Sequence, residues 1–152
     1  MSVYVEGKIG EEMLAEKSGT FILPDGTTRN KKVGEISAML VRVGEKMRAV
    51  KALQIGKGDR ATWADTIVHM LSRLAVSSGS DVKALWKSIQ SILSDLCKVN
   101  KSLGKEIQGV IGSEWEPGQL FCVLHYTLAI PGGHQKSFLE VPGVHRNRQA
   151  VP

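Results

Sequence analysis

The side chains able to do covalent or acid–base chemistry are few and poorly spaced. Cys122 and His125 are the nearest thiol–imidazole pair, and such a pair can make a nucleophile. The stretch around them is rich in β-branched and aromatic residues and reads as a strand. Residues three apart on a strand point to opposite faces, so these two cannot touch. They are expected to be a core thiol and a partly buried histidine. The potential metal ligands are His69, His125, His134, His145, Cys97 and Cys122, and no two stand at a CxxC, HxxxH or HExxH spacing. No catalytic residue, metal or other cofactor is expected from these positions. Cys97 and Cys122 lie in apolar runs and are expected to be unpaired, inert thiols.

Phosphate recognition has more to draw on. Ile55-Gly56-Lys57-Gly58-Asp59-Arg60 joins two glycines and two cations ahead of a helix. It lacks the GxxxxGK[ST] and GxGxxG spacings, so a plain interhelical turn is the simpler reading. Residues 74–82, with Ala75 and Gly79 four apart, superficially follow a helix-turn-helix pattern. Ser78, Ser80 and Ser88 then occupy positions where apolar packing is wanted, and the second helix has few polar groups to present to a groove.

The basic residues give the clearest signal. The chain carries a net charge of +5. Residues 29–60 hold nine cations, Arg29, Lys31, Lys32, Arg42, Lys46, Arg48, Lys51, Lys57 and Arg60, against the three acids Glu35, Glu45 and Asp59. That one segment therefore outweighs the whole-chain excess. On a helix, Arg42 and Lys46 would share one face and Arg48 and Lys51 another. Like charges so placed oppose the helix slightly, and a polyanion would relieve that repulsion. These nine residues are the expected nucleic-acid-binding site. No aromatic residues alternate with them, which argues against stacking on unpaired bases.

The elements that must position them follow from hydrophobic period. Ile36, Met39, Leu40, Val43, Met47 and Val50 form a helical stripe, predicting a helix over 36–54. Trp63, Ile67, Met70, Leu71 and Leu74 predict a second over 62–76, with Thr62 and Asp65 as an N-capping pair. Val82, Leu85, Trp86, Ile89, Ile92, Leu93 and Leu96 predict a third over 81–98, and Leu103, Ile107, Val110 and Ile111 a fourth over 101–111. Strands are predicted at 3–9, 20–23, 119–130 and 136–141, with a turn at Pro24-Asp25-Gly26-Thr27. The expected fold is α+β: a central bundle of about four helices on a small, mostly antiparallel sheet formed by the N- and C-terminal segments. Residues 1–141 read as a single globular domain and 142–152 as a flexible tail.

At 152 residues, with 42% apolar and 23% charged side chains, the chain is ordinary for one globular domain. Met1 to Glu6 lacks the basic-then-apolar pattern of a secretory leader, and no run approaches 18 apolar residues. A soluble intracellular protein is expected. The reading is a non-enzymatic binding or assembly protein that meets a polyanion, expected to be nucleic acid, and is open to self-association. A coat-like or matrix-like viral structural protein fits this description, in which case the virion is its location. The competing class is a protein-interaction adaptor whose basic face only keeps it soluble.

Overall fold

The computed structural model describes residues 2–30, 34–55, 58–95 and 102–122. Within them the fold is α+β, as expected, with four helices and one five-stranded sheet. The chain order is α1 (Val3–Ala15), β1 (Thr20–Asn30), β2 (Gly34–Val43), β3 (Lys46–Ile55), α2 (Arg60–Ser77), α3 (Val82–Ser88), β4 (Ile89–Ser94), α4 (Leu103–Ile111) and β5 (Gly118–Phe121). Across the sheet the order is β3-β2-β1-β4-β5. β1–β2 and β2–β3 pair antiparallel, whereas β1–β4 and β4–β5 pair parallel. The sheet is thus mixed, and it is built largely from residues 20–55 rather than from the two chain ends.

Three elements differ from the sequence reading, each for a physical reason. Residues 3–9 were expected as a strand but begin a helix. Ser2 caps it by accepting from the Val5 N–H at 3.4 Å, and its buried positions, Glu6, Gly7, Ile9, Gly10 and Met13, recur at helical spacing. The alternation came from Val3 and Val5, which are exposed. Gly7 and Gly10 allow α1 to lie close against the end of α2. A Cβ on Gly7 would stand 2.5 Å from the Ser77 carbonyl oxygen, and one on Gly10 would stand 2.7 Å from that of Leu74.

The expected helix over 36–54 is the β2–β3 hairpin. Met39, Val41 and Val43 are buried while Leu40 and Arg42 are exposed, a period of two. The helical stripe and this alternation share Met39 and Val43, so spacing alone did not decide between them. The turn decides it. Gly44 has φ +58°, a conformation glycine takes readily, and glycine at the first central position suits a two-residue hairpin turn.

The expected helix over 81–98 breaks in the middle, with α3 passing into β4 without a loop. The Trp115 indole N–H donates to the Ile89 carbonyl at 2.9 Å, and the Trp86 indole N–H donates to the Trp115 carbonyl at 2.8 Å. The carbonyl that would continue the helix is taken by a residue 26 positions away. The core reading survives the break, since Leu85, Ile89 and Ile92 are fully buried; Leu96 lies outside the described residues.

Other expectations need smaller corrections. Asp59, not Thr62, caps α2, accepting from the Thr62 N–H at 2.9 Å. Val110, expected inward, is exposed. The anticipated turn at Pro24–Thr27 is continuous strand, and Pro24 falls just beyond the last β1–β4 pair, Ile22 with Ile92. β5 begins close to the expected position; residues 123–130, the expected strand over 136–141 and the expected tail lie outside the described residues. Among the described residues no helix is long and apolar enough to cross a membrane.

All four helices pack on one face of the sheet in a single core. It joins Ile9 and Met13 of α1, seven residues of α2 from Trp63 to Ala75, and Leu103 and Ile107 of α4 to Ile22, Met39, Val41, Ile89 and Ile92 of the strands. One carboxylate enters this interface: Glu6 is 2% exposed and is held by Arg73 and Ser77 of α2. Ile89→Ala is expected to cost ~2–5 kcal/mol, the range for truncating a large buried aliphatic side chain. A loss below about 1 kcal/mol in a urea titration, typical of surface positions, would contradict the placement.

Candidate functional site

The hairpin separates the residues expected to form one basic face. On β2, Arg42 shares the exposed side with Leu40, and its Nε donates to the Gly44 carbonyl at 3.0 Å. On β3, Arg48 points to the other side of the sheet, where its guanidinium grips the Glu12 carboxylate of α1 through two bonds of 2.9 and 2.8 Å. Lys46 joins the same carboxylate at 3.7 Å. Arg42 and Lys46, which a helix would have stacked together, therefore face opposite sides. Arg60 opens α2, half-buried. The Asp59 cap already uses a backbone donor that an anion at this helix end would need. Arg29 lies on β1 and Lys51 on β3 by backbone position; Lys31, Lys32 and Lys57 lie outside the described residues.

The helix-turn-helix pattern also meets a geometric obstacle. Its second helix, α3, has seven residues and runs straight into β4, leaving no length to lie in a groove.

A different constellation appears on the sheet face away from the helices. β1 and β4 pair in parallel with Ile22 beside Ile92. Continuing that register three residues, one step past the end of β4 at Ser94, brings Asp25 level with Asp95. Both positions alternate to the side opposite buried Ile22 and Ile92, and neighbouring strands lie about 4.8 Å apart. The two residues line one cavity of about 350 Å³, together with Leu23, Pro24, Ala38, Leu40, Leu93 and Ser94. The Asp25 carboxylate accepts from the Gly26 N–H at 2.9 Å and makes no ion pair among the described residues.

The strand registers lay out the rest of this face in rows. Beside the carboxylates runs an apolar row, Ala49, Leu40, Leu23, Leu93 and Leu120. Beyond it come Met47, Arg42, Phe21, Ser91 and Gly118. Leu40, Met47 and Leu120 are 39%, 50% and 47% exposed, so none of the four helices covers this face.

The sequence reading missed both aspartates. Asp25 sits in Pro-Asp-Gly, which spells a turn, and Asp95 fell inside the expected third helix. A faint signal was present: each follows an apolar run, Phe21-Ile22-Leu23-Pro24 and Ile92-Leu93-Ser94, and so stands where a buried strand opens toward solvent. Among the described residues no three His, Cys, Asp or Glu side chains gather as a metal cage. No protein-family model matches the chain, and no curated protein matches it.

The Glu12 cluster gives a pH dependence with a definite sign. The hydrogen bond from Arg48 holds the Glu12 carboxyl below its ordinary value, with the nearby Arg48 and Lys46 charges adding to it and partial burial opposing. A carboxyl depressed in the folded state stabilises it above the unfolded-state pKa, and that contribution disappears as pH falls through the folded value. Glu12→Gln is therefore expected to lower the urea midpoint at pH 7 and to leave it near wild type at pH 3. An equal difference at both pH values would show that packing, not charge, is what Glu12 provides.

Proposed function

We propose that this chain is a divalent-cation-dependent phosphoryl-transfer domain that acts on nucleic acid, with Asp25 and Asp95 as its paired carboxylates. The observation that carries this reading is that both line one cavity, Asp25 on β1 and Asp95 just past the end of β4, on the sheet face that none of the four helices covers. Open sheets bind ligands where successive connections diverge. Here β1 leads outward to β2 on one side, while β4 leads outward to β5 on the other.

The chemistry of the pair suits a hard cation. Mg²⁺ is ordinarily held by one or two carboxylates, with substrate phosphate oxygens and water completing its shell. A cation of this kind offsets charge on the phosphoryl oxygens and lowers the pKa of a coordinated water. Asp25 and Asp95 would fix its position against the phosphodiester. Leu23, Leu40 and Leu93 would thin the water around the charges and so strengthen their interaction. In the hydrolytic form, a water oxygen bonds to phosphorus and the bond from phosphorus to one bridging oxygen breaks. The attacking water gives up a proton to solvent, and the departing oxygen takes one up. The net charge of +5 supports a polyanionic substrate.

A second reading has its own support. The exposed Leu40, Met47 and Leu120 favour a non-enzymatic protein that binds a polyanion and assembles through this face, of which a coat-like or matrix-like viral protein would be an instance. The deciding experiment incubates labelled single- and double-stranded oligonucleotides with the protein and Mg²⁺ or Mn²⁺ and resolves the products on a denaturing gel. The expected result is cation-dependent cleavage that EDTA abolishes. Asp25→Asn and Asp95→Asn should each slow it roughly 100-fold or more while leaving the thermal melt intact. If the wild-type protein binds the oligonucleotides but leaves every one of them intact with either cation, the phosphoryl-transfer reading falls and the assembly reading takes its place.

A further inference from the structure

Of the nine cations expected from sequence to contact nucleic acid, the described side chains put one on the carboxylate face. We infer that Arg42 anchors a backbone phosphate of the bound strand, a few nucleotides from the reacting phosphodiester. The inference rests on the carboxylate reading for its polarity and adds a residue that the reading does not use. Arg42 stands directly across from Phe21, and Phe21 precedes Asp25 by four residues on the same strand. That places Arg42 roughly 13 Å along the face from the carboxylate pair, a span of a few nucleotides in a stacked strand.

Two features fit Arg42 for this task. Its Nε is engaged by the Gly44 carbonyl at 3.0 Å, which aims the guanidinium and lowers the entropy lost on binding. Its two terminal amino groups make no hydrogen bond or ion pair among the described residues, so the planar fork remains available for two phosphate oxygens. Lys46 and Arg48 lack both advantages. They lie on the helix side of the sheet, and Glu12 offsets their charge at 3.7 and 2.8 Å. Between Arg42 and the carboxylates the surface is apolar, with Leu23 and Leu40 in the intervening row. Among the described side chains, a strand crossing it would meet charge at the two ends.

The test measures binding of the full chain to a fluorescein-labelled oligothymidylate by anisotropy, in EDTA, over a range of salt. Arg42→Ala is expected to weaken binding about tenfold, the loss of one charged hydrogen-bonded contact, and to reduce the slope of log affinity against log salt by ~0.7. Arg42→Lys should restore most of the slope and part of the affinity, which separates charge from folding. Lys46→Ala and Arg48→Ala should bind within about twofold of wild type. Wild-type affinity in Arg42→Ala, or equal losses in all three alanine variants, would overturn the anchor. Asp25→Asn should bind in EDTA at least as well as wild type. Loss of cleavage with Arg42-dependent binding intact would therefore bear on the carboxylates alone, and cleavage without Arg42 dependence on the anchor alone.

Discussion

The parallel ladder between β1 and β4 is the contact on which the rest of the molecule depends. It joins Thr20 to Ile89 and Ile22 to Ile92, residues about seventy positions apart, and it is short. Parallel strands cannot be joined by a hairpin, so the chain must leave the sheet and return across it. The antiparallel β2–β3 hairpin carries the chain to one edge, and α2 and α3 carry it back over one face. α4 repeats the move from β4 to β5. Right-handed crossovers in the same direction put their helices on the same side. One face is consequently thick with core and the other is not covered by any of the four helices. The same register, carried past its last pair, brings Asp25 and Asp95 to one cavity. A short ladder of this kind needs support from its flanks, and it has two sources: the buried isoleucines beneath it, and the tryptophan pair that fixes where α3 stops.

What the sequence disclosed depended on whether a local pattern had a competitor. α2 and α4 were readable because their apolar stripes run through residues with no alternative register. The hairpin was misread because Met39 and Val43 satisfy both periods, and Gly44 was read as an ordinary helix residue rather than a turn. α1 was misread because its exposed valines mimic a strand, while its inner face interrupts the apolar Ile9 and Met13 with two glycines and a glutamate. The α3–β4 break had no local signal at all, since Leu85, Ile89 and Ile92 keep helical spacing across it. Its cause is Trp115, which is distant in sequence. The candidate site was hidden for a related reason. No spacing rule links positions 25 and 95; only strand register does, and register becomes available once the fold is known.

Charge is distributed unevenly between internal and external uses. Glu6 is enclosed between α1 and α2 and is matched by Arg73. Glu12 gathers Lys46 and Arg48 from β3 onto α1. Both carboxylates tie the first helix to elements that follow much later in the chain. A helix with modest apolar content, closely packed through Gly7 and Gly10, gains specificity of placement from such pairs, because a shifted register would leave a buried carboxylate without its cation. Composition alone counts these lysines and arginines toward a basic surface; the structure assigns part of them to holding the protein together.

The direct passage from α3 into β4 constrains the chain's length as well as its residues. A loop absorbs an inserted or deleted residue by changing its path. A helix continuous with a strand has no such slack. Adding one residue within Val82–Ser94 would turn the preceding helix by about 100°, or move every following strand side chain to the other face of the sheet. In the second case Ile92 would leave the core and Asp95 would point into it. Relatives of this protein can therefore be expected to vary in side chain at the exposed positions of this stretch, such as Lys83, Lys87 and Gln90, yet to keep the number of residues between Trp86 and Asp95 unchanged. Length variation should gather instead in the segments that join one element to the next through solvent.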